Sequence, residues 1–209
     1  MNKLDGIKNK KWLLLPIFGI LIFATLYFLA SLLYPGGSQA DSQANGFSWI
    51  NNYWCNLLND TAINGQPNSA QPLAIAAMLV LCISLSFFWY LFPAYANADW
   101  KLKATIRVFG ISSMAVAILL FIQPSHDLIT NLASAMGVVA VIGTIIVLYK
   151  IKWMALYVFG LTNLVLVILN NFLYYTPGWL IYLPLIQKIS FGCFLLWVYL
   201  VSFKAYNKA

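Results

Sequence analysis

Six apolar stretches constrain the fold of this 209-residue chain more than any other feature. A helix needs about 20 mostly apolar residues to cross the hydrocarbon core of a bilayer. Only 8% of the residues are charged, whereas soluble domains carry roughly 25%. The sequence therefore predicts an all-α membrane protein, a single six-transmembrane helix bundle over residues 1–209. We expect the spans at about 12–34, 72–93, 104–123, 128–149, 153–175 and 180–203.

Basic residues indicate the orientation of this bundle. Of the 12 Lys and Arg residues, all but Lys188 fall on one side of an alternating six-span path. Cytoplasmic loops carry the excess of Lys and Arg, so the pattern predicts cytoplasmic N- and C-termini in a cell membrane, typically a bacterial inner membrane. The net charge of +7 then concerns topology, and no nucleic-acid partner is expected. Membrane lipids are the expected partners, and nothing in the sequence indicates a protein partner.

The first outer loop, residues 35–71, is the main extramembrane segment. Its residues Phe47, Ile50, Trp54 and Leu57 recur at helical spacing. The pattern predicts a short interfacial helix with aromatic side chains on its apolar face, and a cap over the bundle mouth is the alternative. The opposite face would carry Ser48, Asn52, Asn56 and Asn59.

Lys188 is the one basic residue that departs from the charge pattern. It precedes Lys204 by 16 residues, about 24 Å of helix, which places it near the outer edge of the hydrocarbon core. Either its long stem extends to the outer headgroups, or it turns inward and pairs with an acid. Ionisable groups inside a bilayer mark functional sites by default. The three acids predicted on the same side are Asp41, Asp60 and Asp127.

Polar groups from several segments are predicted at this same depth, which suggests a shared polar pocket. The candidate catalytic residues are His126, Asp127 and Asp60, and the candidate ligand-binding residues are Lys188, Asn56, Asn170, Tyr174 and Trp54. Each has a structural alternative. An acid such as Asp127 in a first helical turn stabilises the helix dipole, and Asn170 and Tyr174 share a polar stripe of the kind that holds helices together in lipid.

Three functions fit these residues. The first is a non-enzymatic protein that binds a lipid or small ligand in an outer-leaflet polar pocket. The second is an intramembrane lipid hydrolase or transferase with His126 as general base, oriented by Asp60 or Asp127. The third is a proton-coupled transporter. One histidine and no cysteine pair cannot form the usual catalytic zinc site, so we expect no metal and no cofactor.

The layout resembles bacterial six-helix membrane proteins of the domain of unknown function 998 type, distant relatives of the Frag/DRAM/Sfk group. The resemblance is carried by the long first loop and a histidine at the start of span four, namely Asn56-Leu57-Leu58-Asn59-Asp60, Gly65-Gln66-Pro67-Asn68 and His126. It implies a six-helix membrane fold and draws attention to Asp60 and His126. It implies no particular reaction.

Overall fold

A computed structural model describes residues 10–119 and 126–208. These residues are mainly helical, and within them β-structure is limited to two isolated bridges. The long helices are α1 (Leu15–Leu32), α2 (Gln71–Tyr95), α3 (Trp100–Ile118), α4 (His126–Lys150), α5 (Met154–Tyr175) and α6 (Leu183–Lys208). Three short 3-10 helices cover Lys10–Leu14, Trp54–Leu58 and Pro177–Tyr182.

Five helical segments of the described chain are long and apolar enough to cross a membrane: Lys10–Leu32, Gln71–Tyr95, Asp127–Lys150, Met154–Tyr175 and Pro177–Lys208. Their outward faces carry large apolar side chains such as Leu32, Val165 and Ile168, which are 62–68% exposed. Large exposed apolar surface is rare on soluble proteins and suits contact with lipid. The predicted multi-pass helical architecture is therefore confirmed, with five membrane-span candidates among the described residues.

Relative to its length, helix α3 is more highly charged than the other five long helices. It has 19 residues and carries Lys101, Lys103 and Arg107 in its first half, and the end of the predicted span 104–123 lies outside the described residues. It is therefore absent from the five membrane-span candidates of the described chain.

The chain divides into two compact units. We call the described part of Met1–Leu21, Leu79–Thr162 and Leu195–Ala209 the basic unit, and Ile22–Met78 with Asn163–Phe194 the loop unit. Lys3 and Lys8 lie outside the described residues. Nine of the ten described Lys and Arg residues belong to the basic unit, and Lys188 belongs to the loop unit. That the chain forms a single domain stays a prediction.

Small residues let helices approach closely in the basic unit. A Cβ built on Gly19 would lie 1.5 Å from Ser84 Oγ, so α1 and α2 touch at that point. Gly137 of α4 lies against Ser113, whose hydroxyl donates a hydrogen bond to the Ala133 carbonyl at 2.8 Å. Ala133 and Gly137, four residues apart on α4, thus both meet Ser113 of α3, in keeping with the general use of small residues between membrane helices.

The basic unit also contains the one ion pair found within the described residues. Asp99 begins α3 by accepting a hydrogen bond from the Leu102 main-chain N–H at 3.0 Å, and it contacts Lys150 at 3.1 Å. The Leu102 N–H, followed by Lys150, lowers the pKa of Asp99. A short turn lies between the spans expected at 128–149 and 153–175: α4 ends at Lys150, and Lys152 has a positive φ of 61°.

The 35–71 loop folds around buried asparagines. A short helix is present, but it is a 3-10 helix confined to Trp54–Leu58. The two faces predicted over residues 47–59 therefore do not form as one helix. Asn52 and Asn56 are 0% and 6% exposed, whereas Ile50 is 63% exposed. Buried main-chain groups must be hydrogen-bonded, and these amides supply partners for the compact loop.

Candidate functional site

Lys188 is buried in the loop unit with 9% of its surface exposed. Its ammonium donates hydrogen bonds to the main-chain carbonyls of Asn52 and, at 2.9 Å, Pro184. The ammonium also lies 5.7 Å from the centroid of the Phe47 ring. Of the two interpretations of Lys188, the structure supports the inward direction. Its partners are carbonyl oxygens, and no carboxylate of the described residues pairs with it.

Gln187, the neighbour of Lys188, also binds the loop. Its side-chain oxygen accepts a hydrogen bond from the Trp54 main-chain N–H at 3.3 Å, and the Trp54 carbonyl accepts one from the Tyr27 hydroxyl at 2.9 Å. The Trp54 ring packs against Phe23, Tyr27 and Phe191, with centroid distances of 6.3, 4.8 and 5.7 Å. Within the described chain, the indole N–H of Trp54 is buried and has no hydrogen-bond partner.

Asn56 and Asn68 hold the turn of the loop together. The Asn56 side-chain oxygen accepts a hydrogen bond from the Tyr53 main-chain N–H at 2.7 Å. The Asn68 side-chain NH₂ donates to the carbonyls of Asn56, Leu57 and Asn59 at 3.1, 3.2 and 2.8 Å. These carbonyls belong to the end of the 3-10 helix and the residue after it, where helical partners run out. Asn56 therefore has a structural role here, and its ligand-binding role stays a prediction.

Asn170 joins α5 to α6. Its NH₂ group donates to the Ser190 hydroxyl at 2.5 Å and to the Leu166 carbonyl at 2.8 Å. This is the helix-holding role that polar side chains commonly take in lipid. Tyr174, one helical turn further along α5, is 44% exposed, and its role as a ligand-binding residue stays a prediction.

Two tyrosines of the loop unit, Tyr34 and Tyr53, have pKa values above the usual range. Burial raises the pKa of Tyr53, and the nearby Cys55 and Tyr174 raise it further. Burial likewise raises the pKa of Tyr34, against the smaller effect of the Ile63 N–H that its hydroxyl oxygen accepts at 3.0 Å. The loop unit therefore contains neutral phenols and amides, with Lys188 as its one cation among the described residues.

The three catalytic candidates are not united by the described contacts. Asp60 is exposed, and its carboxylate accepts a hydrogen bond from the Gln71 side chain at 2.5 Å. His126 and Asp127 begin α4, in the basic unit, and the His126 side chain lies outside the described residues. No group of three or more metal-ligating His, Cys, Asp or Glu side chains occurs in residues 10–119 and 126–208. The hydrolase or transferase, the transporter and the shared polar pocket stay predictions.

Sequence reasoning missed four residues that build this region. Asn52 accepts the Ser48 N–H at 2.8 Å and donates to the Gly37 carbonyl at 2.8 Å. Asn68, Gln187 and Phe47 complete the set. The available signal was the high density of asparagine in residues 51–68, which exceeds what a solvated helix face requires.

The five long apolar helices assign the chain to the multi-pass α-helical membrane proteins. No family model, no curated protein and no solved structure matches it. The resemblance to the domain of unknown function 998 type therefore stays a prediction.

Proposed function

We propose that this protein binds a lipid or another small ligand, without catalysis, through an anionic group that approaches Lys188. The observation that carries the proposal is the buried ammonium with no carboxylate partner among the described residues. Removing an ion from water costs several kcal/mol unless an opposite charge compensates it. The two carbonyls solvate the ammonium but leave its charge in place.

Two hydrogen-bond donors of the loop unit have no partner among the described residues, namely one from the Lys188 ammonium and one from Trp54. An ammonium has three donors, and the Asn52 and Pro184 carbonyls use two of them. The indole N–H of Trp54, which lies in the 35–71 loop with Asn52, has no hydrogen-bond partner within the described chain. Phosphate and carboxylate oxygens are the acceptors that bind charged donors most strongly. A phosphate-bearing or carboxylate-bearing amphiphile is therefore the class of ligand we propose.

The topology forms part of the proposal. The 19 residues of α3 extend for about 28 Å, close to the roughly 30 Å of a hydrocarbon core, which supports α3 as a sixth span. The concentration of basic residues in the basic unit supports cytoplasmic termini. The 3-10 helix Trp54–Leu58 then belongs at the outer interface of a cell membrane, as expected of a bacterial inner-membrane protein of the domain of unknown function 998 type.

Native mass spectrometry tests the proposal directly. The protein would be reconstituted into phosphatidylcholine vesicles with and without phosphatidylglycerol, extracted gently, and examined for bound lipid. We expect the wild type to retain the anionic lipid, Lys188→Met to lose it, and Lys188→Arg to keep it in part. Lys101→Met removes an exposed charge from the basic unit and serves as the matched control.

A second measurement guards against a variant that does not fold. Cys55 lies in the 3-10 helix of the loop and is partly exposed, so its alkylation rate reports access to this region. In a Cys82→Ala, Cys193→Ala background that keeps Lys188, phosphatidylglycerol should slow the labelling of Cys55. Equal rates with and without that lipid, or equal retention by folded Lys188→Met, would refute the proposal.

A further inference from the structure

An apolar groove of about 260 Å³ lies in the loop unit. It is bounded by the end of α5, the 3-10 helix Pro177–Tyr182 and the start of α6. Its surface is entirely apolar and is formed by Leu169, Phe172, Leu173, Trp179, Tyr182 and Ile186. None of these residues belongs to the candidate site around Lys188.

The groove has a buried floor and exposed aromatic walls. Leu173 is 3% exposed, whereas Phe172, Trp179 and Tyr182 are 53–56% exposed. The rings of Trp179 and Tyr182 lie 5.9 Å apart. Tryptophan and tyrosine are enriched where membrane helices meet the headgroup layer, so the walls have the composition of an interfacial belt.

The surroundings of the groove determine what can enter it. Both bounding helices belong to membrane-span candidates, Met154–Tyr175 and Pro177–Lys208, so the groove opens onto hydrocarbon. Water is not expected to occupy the groove, because it would find no hydrogen-bond partner there. An engineered apolar cavity of about 150 Å³ in another protein stays dry and binds benzene. The volume is below the roughly 300–1,000 Å³ of whole-ligand sites.

We propose that this groove binds one acyl chain of a membrane lipid. The occupant is recognised by its hydrocarbon, since the groove offers no hydrogen-bonding group to a headgroup. The site goes beyond the anion site proposed above. Tyr182 and Ile186 line the groove from one face of α6, and Lys188 follows Ile186 by two residues, about 200° around the helix.

Photocrosslinking tests this site. The protein would be reconstituted in phosphatidylcholine vesicles that contain a phosphatidylcholine with a diazirine near the middle of one acyl chain, and labelled residues would be mapped by mass spectrometry. We expect labelling of Trp179 and Tyr182 to exceed that of lipid-exposed α5 positions outside the groove, such as Val165, by several-fold. Leu169→Trp fills the groove and should reduce the excess to the level of Val165.

Matched variants separate this proposal from its alternatives. Ile168→Trp adds the same side chain at the neighbouring position, which is 68% exposed and does not line the groove, and it should leave the labelling unchanged. Lys188→Met should also leave it unchanged, so failure of the anion site would not remove this one. Uniform labelling of all exposed positions would mean ordinary surrounding lipid and overturn the proposal. Crosslinks through the groove to a second copy of the chain would overturn it as well.

Discussion

The Lys188 ammonium donates a hydrogen bond to the main-chain carbonyl of Asn52, 136 residues earlier in the chain. The Trp54 N–H also donates a hydrogen bond to Gln187, so two consecutive residues of α6 help to hold the 35–71 loop. Lys188→Met should therefore increase hydrogen exchange in residues 47–58. Loss of a charged donor to a buried carbonyl costs about 1–3 kcal/mol, so local protection should fall by roughly tenfold. Lys101→Met is the control, and unchanged exchange in the loop would contradict the attachment.

Asn68 should be the most sensitive asparagine of the loop. Its NH₂ group serves three carbonyls, and its oxygen accepts the Ala70 N–H at 3.1 Å. Asn68→Ala leaves these buried groups unsatisfied, at about 1–3 kcal/mol each before the loop relaxes. We expect a clearly lower melting temperature in detergent and faster exchange at residues 54–59. Asn45→Ala, on the exposed part of the same loop, should change neither.

Gly19→Ala should disrupt the contact between α1 and α2. The added methyl group would lie 1.5 Å from Ser84 Oγ and 2.3 Å from its Cβ, and overpacking of this kind costs about 1–3 kcal/mol or more. Thermal unfolding of the purified protein measures the loss. Ser84→Gly in the same chain removes both clashing atoms and should restore much of the stability.

Gly192→Ala provides the control for that experiment. Gly192 lies within α6 and has no atom within 4 Å of an added Cβ, so alanine should be neutral or stabilising there by up to about 1 kcal/mol. A similar loss at both glycines would mean that the contact with Ser84 is not the cause.

Asp99 predicts a pH dependence of stability. Its pKa is lowered from 3.8 in the folded protein, so its stabilising contribution is complete above that value and is lost as the pH falls through the lower folded pKa. The difference in melting temperature between wild type and Asp99→Ala should be constant from about pH 5 to 7 and shrink below about pH 4. Asp99→Asn keeps a capping side chain and should lose less; a difference that grows on acidification would contradict the assignment.

The helices could be predicted closely because hydropathy depends on composition within one segment. The spans expected at 72–93 and 153–175 correspond to Gln71–Tyr95 and Met154–Tyr175. The span expected at 180–203 lies within the span candidate Pro177–Lys208, whose first six residues form the 3-10 helix Pro177–Tyr182. Hydropathy does not reveal where the 3-10 helix ends and α6 begins, because both segments are apolar.

The interior of the 35–71 loop could not be predicted from periodicity. Asn52 bonds to Gly37, 15 residues away, and Asn68 to Asn56, 12 residues away. A helical pattern over residues 47–59 considers only neighbours three and four residues apart, so it placed the asparagines on one face of a helix and gave no sign of these distant partners. The inward direction of Lys188 was one of two interpretations. Its distant partner, the Asn52 carbonyl, depends on how the loop folds, and no local sequence pattern indicates it.

The attachment of the loop to α6 has a consequence for biosynthesis. At about 5–20 residues per second, the ribosome reaches Lys188 roughly 7–27 s after Asn52, given their separation of 136 residues. During that interval the loop has been synthesised without the side chains that close it. The hydrogen bond between Lys188 and Asn52 can therefore form only after the last helix has been synthesised.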